Sequence, residues 1–292
     1  MQVELAHRCE NSLGEGIIWS AKDREIQWTD ILGRQFWRFD PQTGRAASTP
    51  LEERLSCFAA LGGGEMLAGF SSGLARFNLT TGQRVPIAAI EADQPTTRLN
   101  DGRLDRQGRF VFGTMDEAPD GPSPLGHLWS YDGQSSPRCL LNDVRISNSI
   151  AFSPDGHLMY FADTPNRRID VFDYDGATGT PSNRRVFVQL GLDAGYPDGS
   201  TVDSEGYLWN AEWDGARVVR YNPKGKIDAI VELPVPLVTC CAFGGSDLTQ
   251  LYITTARITL NDQAIKKAPL SGSLFVVQTN VKGLSDAVPL YR

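Results

Sequence analysis

Apolar positions along this chain come in short runs broken by turn-forming residues. Arg109-Phe110-Val111-Phe112-Gly113, His157-Leu158-Met159-Tyr160-Phe161 and Tyr207-Leu208-Trp209-Asn210 are rich in aromatic and β-branched residues. They show no helical stripe, so they predict strands. Each follows a turn of one form: a small or acidic residue, two loop residues, then Gly, Asp or Glu. The turns are Ser20–Asp23, Gly62–Glu65, Asp105–Gly108, Ser153–Gly156, Asp203–Gly206 and Gly244–Asp247, and their fourth residues are spaced by 42, 43, 48, 50 and 41.

Six units of this length are a solenoid or a propeller, and strand composition decides for the propeller. A further strand follows in each unit, as in Gln35–Phe39, Gly73–Phe77, His127–Tyr131, Ile169–Asp173, Arg217–Tyr221 and Ser273–Val277. Fourth strands such as Arg185–Val188 and Ala229–Glu232 complete sets of four. The expected fold class is all-β: a six-bladed β-propeller of four-stranded blades around a central channel, residues 1–292 forming one domain. The segment Glu52–Leu61 has some helical character but falls where a blade strand belongs, and is read as strand. Val3–Cys9 precedes the first repeat and is expected to pair with the last blade, which removes an open sheet edge.

Eight residues before each turn's fourth residue stand Glu15, Cys57, Asn100, Asn148, Asp198 and Thr239. Each opens the first strand of its blade, the innermost strand of a propeller, so the six positions converge at one height. Four of the six carry carboxylate or amide oxygens. Acids brought together must share a proton or a cation, and oxygen ligands suit hard divalent ions such as Ca²⁺, Mg²⁺ or Mn²⁺, with Zn²⁺ or Fe²⁺ also open. The alternative at this point is a solvated channel lining. Arg98, two residues before Asn100, points to the same side of an extended strand and is a candidate for binding substrate oxygens or for pairing with a neighbouring acid.

Composition narrows the classes. Charged residues make up 22% and apolar residues 41%, with a net charge of −7. There is no basic tract to hold phosphates, so no nucleic-acid partner is expected. No run approaches the length that spans a bilayer, and the N-terminus shows no secretory pattern, so no membrane partner is expected. Five cysteines without metal or redox spacing read as free thiols of a cytoplasmic protein. Gly69-Phe70-Ser71-Ser72-Gly73 matches a nucleophile elbow in letters only, because a strand and not a helix follows it. His7, His127 and His157 lie off the shared layer, which leaves a Ser-His-Asp mechanism little to work with. The acids of Met115-Asp116-Glu117 read as a solvated loop.

With these residues in place, the chain resembles the senescence-marker-protein (regucalcin)/gluconolactonase family of sugar lactonases over about residues 10 to 280. The resemblance rests on Leu13-Gly14-Glu15-Gly16-Ile17-Ile18-Trp19, Arg98-Leu99-Asn100-Asp101-Gly102, Gly113-Thr114-Met115, Ile146–Gly156 and Tyr196-Pro197-Asp198-Gly199-Ser200. It implies a six-bladed propeller and one divalent cation (Ca, Zn, Mn, Mg or Fe) on Glu15, Asn148 and Asp198. It also implies Asp198 as general base and Arg98 and Asn100 as the substrate-binding residues that orient sugar hydroxyls, with Asn100 often in contact with metal or substrate. An acidic substrate contact of the animal members falls on Ala118, with Glu117 adjacent; the chain departs from the family there. The implied function is hydrolysis of a pentono- or hexonolactone to the aldonic acid in oxidative sugar catabolism. A calcium-binding protein without turnover, a propeller phosphotriesterase and an interaction scaffold are the competing readings.

Overall fold

The computed structural model describes residues 1–290. Its strands form six four-stranded antiparallel sheets. The first contains β2 (Gly14–Ser20), β3 (Glu25–Asp30), β4 (Gln35–Asp40) and β5 (Arg45–Pro50), after β1 (Val3–His7). The second contains β6 (Leu55–Gly62), β7 (Glu65–Phe70), β8 (Gly73–Asn78) and β9 (Arg84–Ala89). The third contains β10 (Thr97–Leu104), β11 (Phe110–Asp116), β12 (Gly126–Tyr131) and β13 (Arg138–Val144). The fourth contains β14 (Ser147–Phe152), β15 (Leu158–Asp163), β16 (Arg168–Asp175) and β17 (Thr180–Gln189). The fifth contains β18 (Tyr196–Val202), β19 (Leu208–Trp213), β20 (Arg217–Tyr221) and β21 (Ile227–Glu232). The sixth contains β22 (Val238–Gly244), β23 (Gln250–Thr255) and β24 (Leu274–Gln278), and β1 pairs with β24 as its fourth strand.

The fold class is the six-bladed β-propeller that the repeat predicts. β1 closes the last blade as expected, and Leu55–Gly62 is strand, not helix. A single short α-helix, α1 (Asp262–Lys267), occurs among the described residues, besides one 3-10 turn at Thr164–Asn166. No helix is long and apolar enough to cross a membrane. All five cysteines are free thiols, with Cys139 exposed and the others buried.

The repeated turn has a local physical cause. Asp105 Oδ1 accepts hydrogen bonds from the amides of Gln107 (2.9 Å) and Arg109 (2.8 Å). Asp203 Oδ1 does the same for Glu205 and Tyr207, both at 3.0 Å. The Ser153 hydroxyl accepts from Leu158 N at 2.9 Å. Thus the small or acidic residue that opens each of these turns satisfies the turn's own amides. Gly206, ending one such turn, takes a φ of +82°, a region other residues enter at a steric penalty.

Burial follows the order of strands within a blade. First and second strands are the more buried, almost wholly so in β14 and β15, whereas fourth strands such as β5 and β17 are mostly exposed. The chain forms two compact units. One comprises residues 1–54 and 190–285, with the first, fifth and sixth blades. The other comprises residues 55–189 and 286–290, with the second, third and fourth. Large apolar side chains fill the spaces between neighbouring blades within each. Trp209, Val218, Cys241, Phe243 and Ile253 pack together in the first unit, and Leu67, Leu99, Phe110 and Phe112 in the second.

Candidate active site

Every first strand carries a β-bulge at its start. Between Glu15 and Ile18, Leu99 and Gly102, Asn148 and Ala151, and Pro197 and Ser200, the first strand holds one residue more than its partner. The second and sixth blades have the same irregularity at Leu55/Cys57 and Val238/Cys240. A bulge breaks the ladder and re-aims the side chain beside it. The six aligned positions of the sequence therefore all sit on, or directly beside, a bulge.

In the unit of residues 55–189, three candidate residues come into direct contact. Arg98 Nη1 donates to Asn100 Oδ1 at 2.8 Å and to the carbonyl of Leu99 at 2.8 Å. Asn100 Nδ2 donates to Asn148 Oδ1 at 3.1 Å and to the Ser147 carbonyl at 2.9 Å. Asn148 Nδ2 in turn donates to Thr164 Oγ1 at 2.8 Å. Both atoms of the buried Asn148 amide are thereby committed to a defined orientation, and Oδ1 keeps a second lone pair. The adjoining Ser149 is held at a φ of +57°. For a non-glycine residue this is a strained conformation, of the kind found beside binding sites.

Two carboxylates stabilise this arrangement. Asp101 Oδ2 accepts from Ile150 N, inside the bulge that follows Asn148, at 2.9 Å, and its Oδ1 accepts from Gly102 N. Burial pushes the Asp101 carboxyl above the ordinary range, against the opposing pull of Arg103 and the two amides. Asp163 Oδ1 accepts from the amides of Arg145 (3.2 Å) and Ile146 (3.0 Å), the two residues that lead into β14.

Glu117 forms an ion pair with Arg98 Nε at 2.8 Å. Asp116 is buried and accepts from Ala118 N and Ser123 N. The reading of these acids as a solvated loop is thus corrected for Asp116, which is buried on β11 and organises the segment that follows; Glu117 is exposed beyond the strand as expected, yet it also orients Arg98.

In the unit of residues 1–54 and 190–285 lie Glu15 and Asp198. Glu15 is half-buried on β2, and Asp198 is buried on β18. Both strands pack against β22. There Thr239, at the aligned position of the sixth blade, donates its hydroxyl to the Gly14 carbonyl beside Glu15. Asp30 accepts from Ser12 N and Leu13 N, both at 2.9 Å, so the entry to β2 is pinned as Asp163 pins the entry to β14. Gly199 must be glycine, because a Cβ there would lie 2.3 Å from Cys240 Sγ. Cys57 is fully buried and packs against Leu99 and Phe112.

Sequence reasoning missed Asp30, Asp101, Asp163 and Thr164. Asp30 and Asp163 had a signal: each stands 15 residues after an aligned position, Glu15 and Asn148. Asp101 and Thr164 had none, since their roles come from contacts between strands. The elbow-like segment is a turn between β7 and β8, as expected.

A family model described as the SMP-30/gluconolactonase/LRE-like region matches residues 13–257. An L-arabinolactonase of Azospirillum brasilense is 41% identical over 288 residues, covering 98% of this chain and 95% of the relative. A 6-deoxy-6-sulfogluconolactonase of Pseudomonas putida is 36% identical, covering 96% and 94%. The crystal structure of a calcium-binding protein, regucalcin, from Agrobacterium tumefaciens aligns with a TM-score of 0.92 at 33% identity, covering 99% of this chain and 96% of that one. Matches of this extent leave no part of the propeller unaccounted for, and the chain belongs to the SMP-30/gluconolactonase/LRE-like family.

Proposed function

We propose that this protein is a metal-dependent sugar lactonase that opens an aldonolactone to the aldonic acid, its six blades acting as one domain. Glu15, Asn148 and Asp198 hold one divalent cation in this reading. The carrying observation is the Asn148 amide, clamped by Asn100 and Thr164 with a lone pair of its carbonyl oxygen left over. An amide fixed in this way is a prepared oxygen donor. The donor chemistry fits a hard dication: two carboxylates match its charge, and the set is all oxygen. Among the described residues no three His, Cys, Asp or Glu side chains gather as a metal site, so the amide oxygen is needed to complete the set. When bound, the cation supplies Lewis-acid polarisation of the lactone carbonyl.

The chain's own residues supply the rest. The Asp198 carboxylate takes a proton from the attacking water as general base. Arg98, a permanent cation held by Glu117 and Asn100, binds the hydroxyl or carbonyl oxygens of the sugar. Asn100 spends both ends of its amide on Arg98, Ser147 and Asn148, so it aligns the two functional side chains. The names of the two lactonase relatives support the substrate class.

The test is metal analysis of purified protein followed by hydrolysis of a panel of pentono- and hexonolactones, before and after chelation. The reading expects hydrolysis that is lost on chelation and restored by a divalent cation. Bound cation without turnover of any lactone would instead favour a calcium-binding protein. Hydrolysis indifferent to exhaustive chelation would remove the metal.

A further inference from the structure

Two residues before each aligned position stand Leu13, Leu55, Arg98, Ile146, Tyr196 and Leu237. Four of these are aliphatic. Leu13 (8% exposed), Leu55 (0%) and Leu237 (3%) are buried. Leu13 and Leu237 pack with Ile31, Ala256 and the half-buried Trp213. Only Arg98 and Tyr196 break the pattern.

Arg98 shows what this position can reach. From it, the guanidinium contacts the side chain at the aligned position of its own strand, Asn100. Tyr196 holds the same place relative to Asp198. It opens β18 and remains 36% exposed, whereas Leu13, Leu55, Arg98 and Leu237 are buried and Ile146 is half-buried. Its register partner on β19 is Trp213. Residues directly opposite in an antiparallel pair project from the same face, so two aromatic side chains share the surface at the start of the strand that carries Asp198.

We propose that Tyr196, backed by Trp213, is the aromatic wall of the lactone-binding site and a determinant of its specificity. The inference rests on the lactonase reading. A lactone ring bearing hydroxyls still presents faces of polarised C–H bonds, and these pack on the electron-rich face of an aromatic ring. A ring beside Asp198 receives such a face and orients the lactone edge-on to the base. The site then favours cyclic polyol lactones over acyclic esters, which have no rigid C–H face to present.

The experiment compares Tyr196→Ala, Tyr196→Phe and the parent on a pentono-1,4-lactone, with metal content measured in each. Loss of uniform binding raises KM and spares kcat, so Tyr196→Ala is expected to raise KM about 10-fold with kcat and metal content near parental values. Tyr196→Phe, which keeps the ring, should stay within about 2-fold of the parent in KM. An unchanged KM in Tyr196→Ala overturns the wall, as does a Tyr196→Phe variant that loses as much as the alanine variant. A parent protein that hydrolyses none of the lactones removes the lactonase reading and this assignment with it. A parent that turns over while Tyr196→Ala keeps its KM removes only the role of Tyr196.

Discussion

Asn100 donates to Asn148 across two blades, Nδ2 to Oδ1 at 3.1 Å, while Asn148 donates onward to Thr164 at 2.8 Å. The Asn148 amide therefore has one orientation that satisfies both neighbours. Reversing it would set two donors against each other at Asn100. Removing the Thr164 acceptor should loosen that orientation. Thr164→Val is expected to weaken divalent-metal binding by about 10–100-fold, the usual range for groups that orient a ligand. Thr164→Ser, which restores a hydroxyl, should recover most of it. Calorimetric titration with Ca²⁺ or Mn²⁺ measures both, and equal affinities in all three proteins would deny Thr164 this role.

Asp198→Asn keeps the size of the side chain and one oxygen but cannot take a proton near neutral pH. Loss of a general base slows turnover by about 10²–10⁴-fold. The expected outcome is that loss with the fold retained by circular dichroism. Metal content has to be measured alongside, and a fully loaded variant with a near-normal rate would exclude Asp198 as the base.

Arg98→Ala removes a cation that is joined to both Glu117 and Asn100. We expect kcat/KM to fall strongly for polyhydroxylated lactones and much less for an unsubstituted one, which has no hydroxyls to be held. Steady-state kinetics on the two substrates decide. Equal losses would mean that Arg98 serves only to hold the site together.

Gly199 lies in the bulge beside Asp198, against Cys240 of the neighbouring blade. A Cβ would meet Cys240 Sγ at 2.3 Å and Cys240 Cα at 2.9 Å, so part of the clash is with main chain that cannot rotate away. Gly199→Ala should lower stability by about 1–3 kcal/mol, the range for overpacking a filled interior. Thermal denaturation measures it; an unchanged midpoint would show that the bulge relaxes freely.

Asp116 supplies a pH dependence. The Thr96 hydroxyl, followed by the Ser123 and Ala118 amides, holds its carboxyl below the ordinary value of 3.8. A carboxyl lowered in the folded state contributes stability that is present above its unfolded value and is lost as pH falls through the folded one. Asp116→Asn should therefore be less stable than the parent at pH 7, and the gap should narrow below pH 3.8. Denaturant titrations at several pH values test this, and a gap that is constant with pH would show that charge plays no part.

The strand runs, the capped turns and the six aligned positions were legible in the residues because each depends on near neighbours along the chain. Asp105 binds amides two and four residues away, and Asp203 does likewise. Such local bonds impose a repeat that survives as a spacing. The same spacing identified Glu15, Asn100, Asn148 and Asp198 as equivalent before any contact was known.

What those residues do to one another was decided in three dimensions. Asp101 reaches Ile150, 49 residues on, and Asn100 reaches Asn148, 48 residues on. Glu117, an exposed acid, also fixes Arg98, and Ser149 takes its positive φ at a fully buried position. Amino-acid order alone determined the strands, their number and the aligned positions that carry the candidate site residues. Tertiary structure decided which amide oxygen is presented, which acid orients the arginine and which aromatic ring stands exposed. These depend on how blades register against each other, and that register is set by side-chain packing, which leaves no period in the sequence.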